Sequence, residues 1–117
     1  MADSYVQVTT TTDTRQEADR LADLVVERRL AACAQVLGPI TSTYRWKGNK
    51  ETAEEWLILT KTTDARQDDL ISTIKAEHSY ETPDIIATPI LAGHPAYLDW
   101  IREETQERAA SSSRVDD

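Results

Sequence analysis

The side chains in this sequence that could ligate a metal fall into a small first group. Cys33 is the only cysteine, and His78 is one of two histidines, with Glu77 and Glu81 close by along the chain. A thiolate is a soft donor suited to Cu(I), and an imidazole is borderline-soft and accepts Cu(II) or Zn(II). A carboxylate from Glu77 or Glu81 adds a hard oxygen. Such a site forms only if the fold, or an assembly of chains, brings these residues together. Each also has a purely structural reading. Free cysteine is often a small core residue, and a histidine near a helix C-terminus is favoured by the dipole. His94, directly before Pro95, reads as a loop or helix-start residue and is not counted as a ligand.

A second group is Tyr44, Trp46, Lys61 and Tyr80. Lys61 is in phase with Leu57 and Leu59, on a strand face that otherwise reads as buried. A lysine there must pair with an acid such as Glu81 or Asp84, reach solvent along its stem, or line a cavity. Together with the rings, it would receive a small anionic ligand in a cleft between subunits. The aromatic residues would serve equally as contacts between chains.

Catalytic patterns are missing. There is no nucleophile elbow, no phosphate-binding glycine loop and no Cys-x-x-Cys, and the chain holds only three glycines. Acyl phosphate hydrolysis would need an arginine and an asparagine poised together, and the only asparagine, Asn49, reads as part of a turn. The expectation is a protein that is not an enzyme and needs no cofactor, and copper or another divalent cation would be a ligand only where the donors above meet.

Charge points the same way. With 21 acidic and 13 basic residues among 117, the net charge is -8, which repels nucleic acid and anionic membranes and favours cations. The N-terminus lacks the basic and apolar regions of a secretion signal, and no apolar run approaches spanning length, so a cytoplasmic protein is expected. One cysteine allows no intrachain disulfide.

These residues must be positioned by a single small domain. Tyr5 to Thr11 reads as a strand, followed by a helix running to about Leu30 and capped at Thr14 with Glu17 in the capping-box position, or in the alternative phase at Asp13 with Gln16. Ala18, Leu21, Ala22 and Val25 form its apolar stripe. Ala32 to Trp46 reads as one strand with a bend at Gly38-Pro39 or as two collinear strands, Lys47 to Lys50 as a turn, and Glu54 to Thr62 as the returning strand. A second helix, capped at Asp64 and running to about His78, carries Leu70, Ile71 and Ile74. Ile85 to Ile90 is a short strand, and a third helix after Pro95 carries Tyr97, Trp100 and Ile101. The segment Thr11-Thr12-Asp13-Thr14-Arg15-Gln16-Glu17 recurs as Thr62-Thr63-Asp64-Ala65-Arg66-Gln67-Asp68, which reflects either shared capping chemistry or two related halves. The order is β-α-β-β-α-β plus a helix, an α+β ferredoxin-like sandwich with an extra C-terminal helix over residues 1–108. The acidic tail, residues 109–117, is expected to be disordered.

Apolar residues occupy both faces of the third strand, Trp56 and Ile58 on one and Leu57 and Leu59 on the other, and Ile85 and Ile86 repeat the pattern. A sheet with helices on one side only would leave the second set bare, so another copy of the chain is expected to cover it.

Five blocks carry a family resemblance: Leu30-Ala31-Ala32-Cys33, Ser42-Thr43-Tyr44-Arg45-Trp46-Lys47-Gly48, Leu59-Thr60-Lys61-Thr62, His78-Ser79-Tyr80-Glu81-Thr82-Pro83 and Tyr97-Leu98-Asp99-Trp100-Ile101. In this order the sequence resembles the CutA divalent-cation-tolerance family. The resemblance implies a ferredoxin-like subunit in a homotrimer, a role in the response to metal ions, copper binding in some members, and no catalysis. Its metal-binding residues would be Cys33, His78 and Glu81. Some relatives carry a second histidine and a second cysteine where this chain has Glu77 and Thr10, so the copper site implied here is a weak one. The architecture is also similar to that of trimeric PII signal proteins, whose analogy implies a signalling or adaptor module that takes a small anion or a partner protein in an intersubunit cleft.

Overall fold

Period-two alternation along β1, Tyr5–Thr12, sends Val6, Val8, Thr10 and Thr12 to one side, where all four are buried. A computed structural model describes residues 4–107, and the expected tail at 109–117 lies outside the described residues. The elements that follow are α1 (Arg15–Glu27), β2 (Cys33–Trp46), β3 (Asn49–Thr63), α2 (Asp64–Glu77), β4 (Ile85–Ile90) and α3 (Pro95–Glu104). The four strands form one antiparallel sheet in the order β2-β3-β1-β4, the ferredoxin-like arrangement. Among the described residues no helix is long and apolar enough to cross a membrane.

Both helices of the β-α-β-β-α-β unit cover the same face. Leu21 and Val25 of α1 and Leu70 and Ile74 of α2 close over Val6, Val8 and Ile58, all of them buried. Removing each such side chain from water is worth roughly 1.5–3 kcal/mol, which is the main stabilisation of the unit. Threonines on this face are accommodated because their hydroxyls are bonded. Thr60 donates to the Val8 carbonyl at 2.7 Å and Thr62 to the Leu30 carbonyl at 2.7 Å.

The helix ends differ in detail from the expectations. Thr14 caps α1 as expected, its hydroxyl accepting from the Glu17 amide at 3.1 Å. The helix stops at Glu27 rather than near Leu30, because Arg29 adopts φ 59° and Leu30 and Arg29 return their amides to Val25 and Val26. This is a Schellman ending without its usual glycine. Arg29 compensates by donating to the Glu103 carbonyl at 3.1 Å, which ties the end of α1 to α3. In α2 the N-cap is Thr63, not Asp64, and no side chain bonds there. The repeated segment explains the shift: Ala65 stands where Thr14 stood and has no oxygen to offer, so the helix begins two residues earlier in the repeat.

β2 and β3 form a hairpin longer than expected, with Asn49 inside β3 and paired with Trp46. The turn is the two residues Lys47 and Gly48, at φ 51° and 84°, the conformation that matches strand twist. Register shifts between Leu37 and Ile40, at Gly38-Pro39. A side chain at Gly38 would collide with the Trp56 indole, so the close crossing of the two strands requires glycine. Beyond this point the hairpin extends as an arm, and the domain is 51 Å in its longest dimension.

The opposite face of the sheet is only partly covered. Leu37 and Ile86 are 45% and 55% exposed, and Leu57 and Leu59 lie between them half-buried.

Candidate functional site

At the base of the arm a cleft of about 720 Å³ opens between the hairpin, the end of β1 and the segment after α2. Tyr44 and Trp46 come from β2, Glu55 from β3, Asp13 from the residues after β1, and Tyr80, Glu81 and Asp84 from the segment before β4. Four of these are carboxylates. Glu55 is the deepest, at 8% exposure, and accepts a hydrogen bond from the Tyr80 hydroxyl at 2.7 Å. Among the described residues no cationic side chain pairs with it. Burial, the hydrogen bond to Glu55 and the negative charge of Glu55 and Asp13 hold the Tyr80 phenol well above its ordinary value.

Tyr80 is placed by a fixed turn. Its amide donates to His78 Nδ1 at 3.1 Å, and Ser79 donates both its amide and its hydroxyl to the Glu17 carboxylate at 2.8 Å. Since Nδ1 accepts, the ring proton sits on Nε2, which lies 2.8 Å from the Thr11 carbonyl and 3.2 Å from the Thr10 hydroxyl. The His78 side chain is fully buried. Both ring nitrogens are committed within the chain, so His78 orients the wall of the cleft and has no lone pair to give to a metal.

Cys33 and Lys61 lie at the other end of the sheet. They are register partners, and α3 folds over them, with the Tyr97 hydroxyl 3.6 Å from Cys33 Sγ. That contact first, then burial, holds the Tyr97 phenol above its ordinary value. Lys61 donates to Gln35 Oε1 at 2.9 Å and its ammonium is 4.0 Å from Cys33 Sγ. Along β3, Lys61 is six residues from Glu55, roughly 20 Å at the rise of a strand.

The structure therefore brings Tyr44, Trp46, Tyr80 and Glu81 together and leaves Lys61 out. Within one chain it does not bring Cys33 to His78. Glu81 lines the cleft and Cys33 does not. Among the described residues no three histidines, cysteines or acids are close enough together to hold a metal ion. Glu55 and Asp13 are the residues that sequence reasoning missed. Glu55 carried a readable signal, since it is in phase with Leu57, Leu59 and Lys61, an acid on a face that reads as buried.

Comparison with known proteins bears on this arrangement. A family model described as CutA1 divalent ion tolerance protein matches residues 6–104. The divalent-cation tolerance protein CutA of Thermus thermophilus is 42% identical over 95 residues, covering 81% of this chain and 92% of the relative. A rice protein named Protein CutA 1, chloroplastic, is 35% identical over 102 residues, and the chain spans 58% of its length. The solved Thermus structure aligns with a TM-score of 0.85 at 40% identity, covering 87% of this chain and 99% of that one.

Proposed function

The chain belongs to the CutA1 divalent ion tolerance protein family, and on that premise we propose that it serves tolerance of divalent cations as a non-catalytic, cytoplasmic homotrimer that takes cations into the acidic cleft. The observation that carries this reading is Glu55, a carboxylate nine-tenths buried with, among the described residues, no cationic side chain to balance it. An unpaired buried charge is costly, so a cation from outside the chain completes the site. Asp13, Glu81 and Asp84 surround it with further negative charge. Carboxylate oxygens suit hard divalent ions. With no three ligands converging among the described residues, an ion is held loosely, through water or through acids pooled between copies.

Copper held by Cys33 and His78 does not fit one chain, because the two are apart and both His78 nitrogens are engaged. The reading by analogy with PII proteins, an anion in this cleft, loses its support as well, since the lysine it relied on sits at the far end of β3.

Calorimetric titration of the tag-free, EDTA-treated protein with Zn(II), Cu(II) and Cu(I) tests the proposal. Saturable binding of the divalent ions is expected, weakened about tenfold in Glu55→Gln and unchanged in Cys33→Ser. Binding that is absent, or that is lost in Cys33→Ser and kept in Glu55→Gln, would overturn it.

A further inference from the structure

The cleft has more in it than a metal ion can use. Tyr44 and Trp46 are 43% and 44% exposed, and with Tyr80 they place three aromatic rings beside the carboxylates. A ring face attracts a cation strongly only when the cation is weakly hydrated, as an alkylammonium is. A small divalent ion keeps its waters and gains little from a ring. The volume, about 720 Å³, lies in the range of small-molecule sites and far exceeds one ion. The carboxylates are spread around the walls rather than converging. Spaced negative charges match a chain of spaced ammonium groups.

Resting on the reading that this cleft receives cations, we propose that its preferred ligand is a linear organic polyamine, with one ammonium at Glu55 and others reaching Asp13, Glu81 or Asp84 across the rings of Tyr44, Trp46 and Tyr80. The chain leaves room for it. Glu55 Oε2 is held by Tyr80, and no group of the described residues is bonded to its other oxygen. The arm's own Arg45 and Lys50 are register partners out of phase with Tyr44 and Trp46, on the opposite side of the hairpin. Lys47 already lies 5.8 Å from the centroid of the Trp46 ring, the same chemistry that a ligand ammonium would use.

Spermidine is the probe, titrated calorimetrically into the full chain with and without Zn(II). Binding at one site per chain is expected, about tenfold weaker in Glu55→Gln and at least about threefold weaker in Tyr44→Leu, which keeps an apolar side chain on the exposed arm and removes the ring. Unaltered far-ultraviolet circular dichroism and thermal midpoint establish that each variant is folded, and Glu81→Gln, at an exposed position, serves as the second acidic variant. Zinc binding that depends on Glu55 with no spermidine binding would overturn this inference and leave the proposed function standing. If neither cation binds, both fall. Spermidine binding that appears only after the assembly is dissociated would mean that a neighbouring copy's cation fills the cleft, and would also overturn it.

Discussion

One sheet carries two faces with opposite histories. On the helix side, Val6, Val8, Ile58 and the residues above them are at most 7% exposed, and every contact they need comes from the same chain. On the other side, Leu37, Leu57, Leu59 and Ile86 are equally apolar but half-covered, α3 packs at the Cys33 end, and the far end opens into a cleft of acids that no cation among the described residues compensates. Leu59 and Ile58 are neighbours in sequence and differ only in the direction of their side chains. The difference teaches that packing within the chain completes the helix face and leaves the open face unfinished; under the proposed function, other copies cover its centre and cations its end.

The largest effect that would break this comparison is expected in the core. Leu70→Ala should lower unfolding free energy by about 2–5 kcal/mol in denaturant titration, because α2 cannot collapse onto the sheet to fill the space. A cost below about 1 kcal/mol would mean that the helix face is not tightly packed. Gly38→Ala, at the boundary between body and arm, must displace the Trp56 ring and should cost about 1–3 kcal/mol. Thr14→Ala removes the side-chain cap of α1 and should cost about 1 kcal/mol in the same assay. The smallest effect belongs to the cleft. Because the folded Tyr80 phenol is held above the ordinary 10.0 of the unfolded chain, its contribution to stability is complete below that value and declines as pH rises past it. Tyr80→Phe should flatten this alkaline decline, and an unchanged profile would place the negative field of Glu55 elsewhere.

The fold was legible because its signals are local. Alternation in β1, the apolar run of β3, the stripes of α1 and α2 and the turn cluster from Lys47 to Lys50 each report one element, and their order leaves few topologies. Helix ends were less so. Arg29 takes a backbone conformation that glycine usually marks, supported by a contact with Glu103 some seventy residues away in sequence. The site was half legible for the same reason. Tyr44, Trp46 and Tyr80 meet as grouped and Glu81, expected beside Cys33 and His78, lines the same cleft, but the phase that places Lys61 on the open face says nothing about which end of a long strand a cleft occupies. His78 looked like a ligand because its type is common in metal sites. Only the structure reveals that the Tyr80 amide and the Thr11 carbonyl use both nitrogens.

The most direct test of the contrast between the faces is sedimentation equilibrium of the tag-free protein beside Leu59→Lys, an open-face change, with unfolding monitored in parallel. The account predicts a native species of three times the 13.2 kDa chain mass, and a Leu59→Lys chain that sediments as a folded monomer. A native protein that is monomeric at micromolar concentration, or a Leu59→Lys chain that remains assembled, would contradict it.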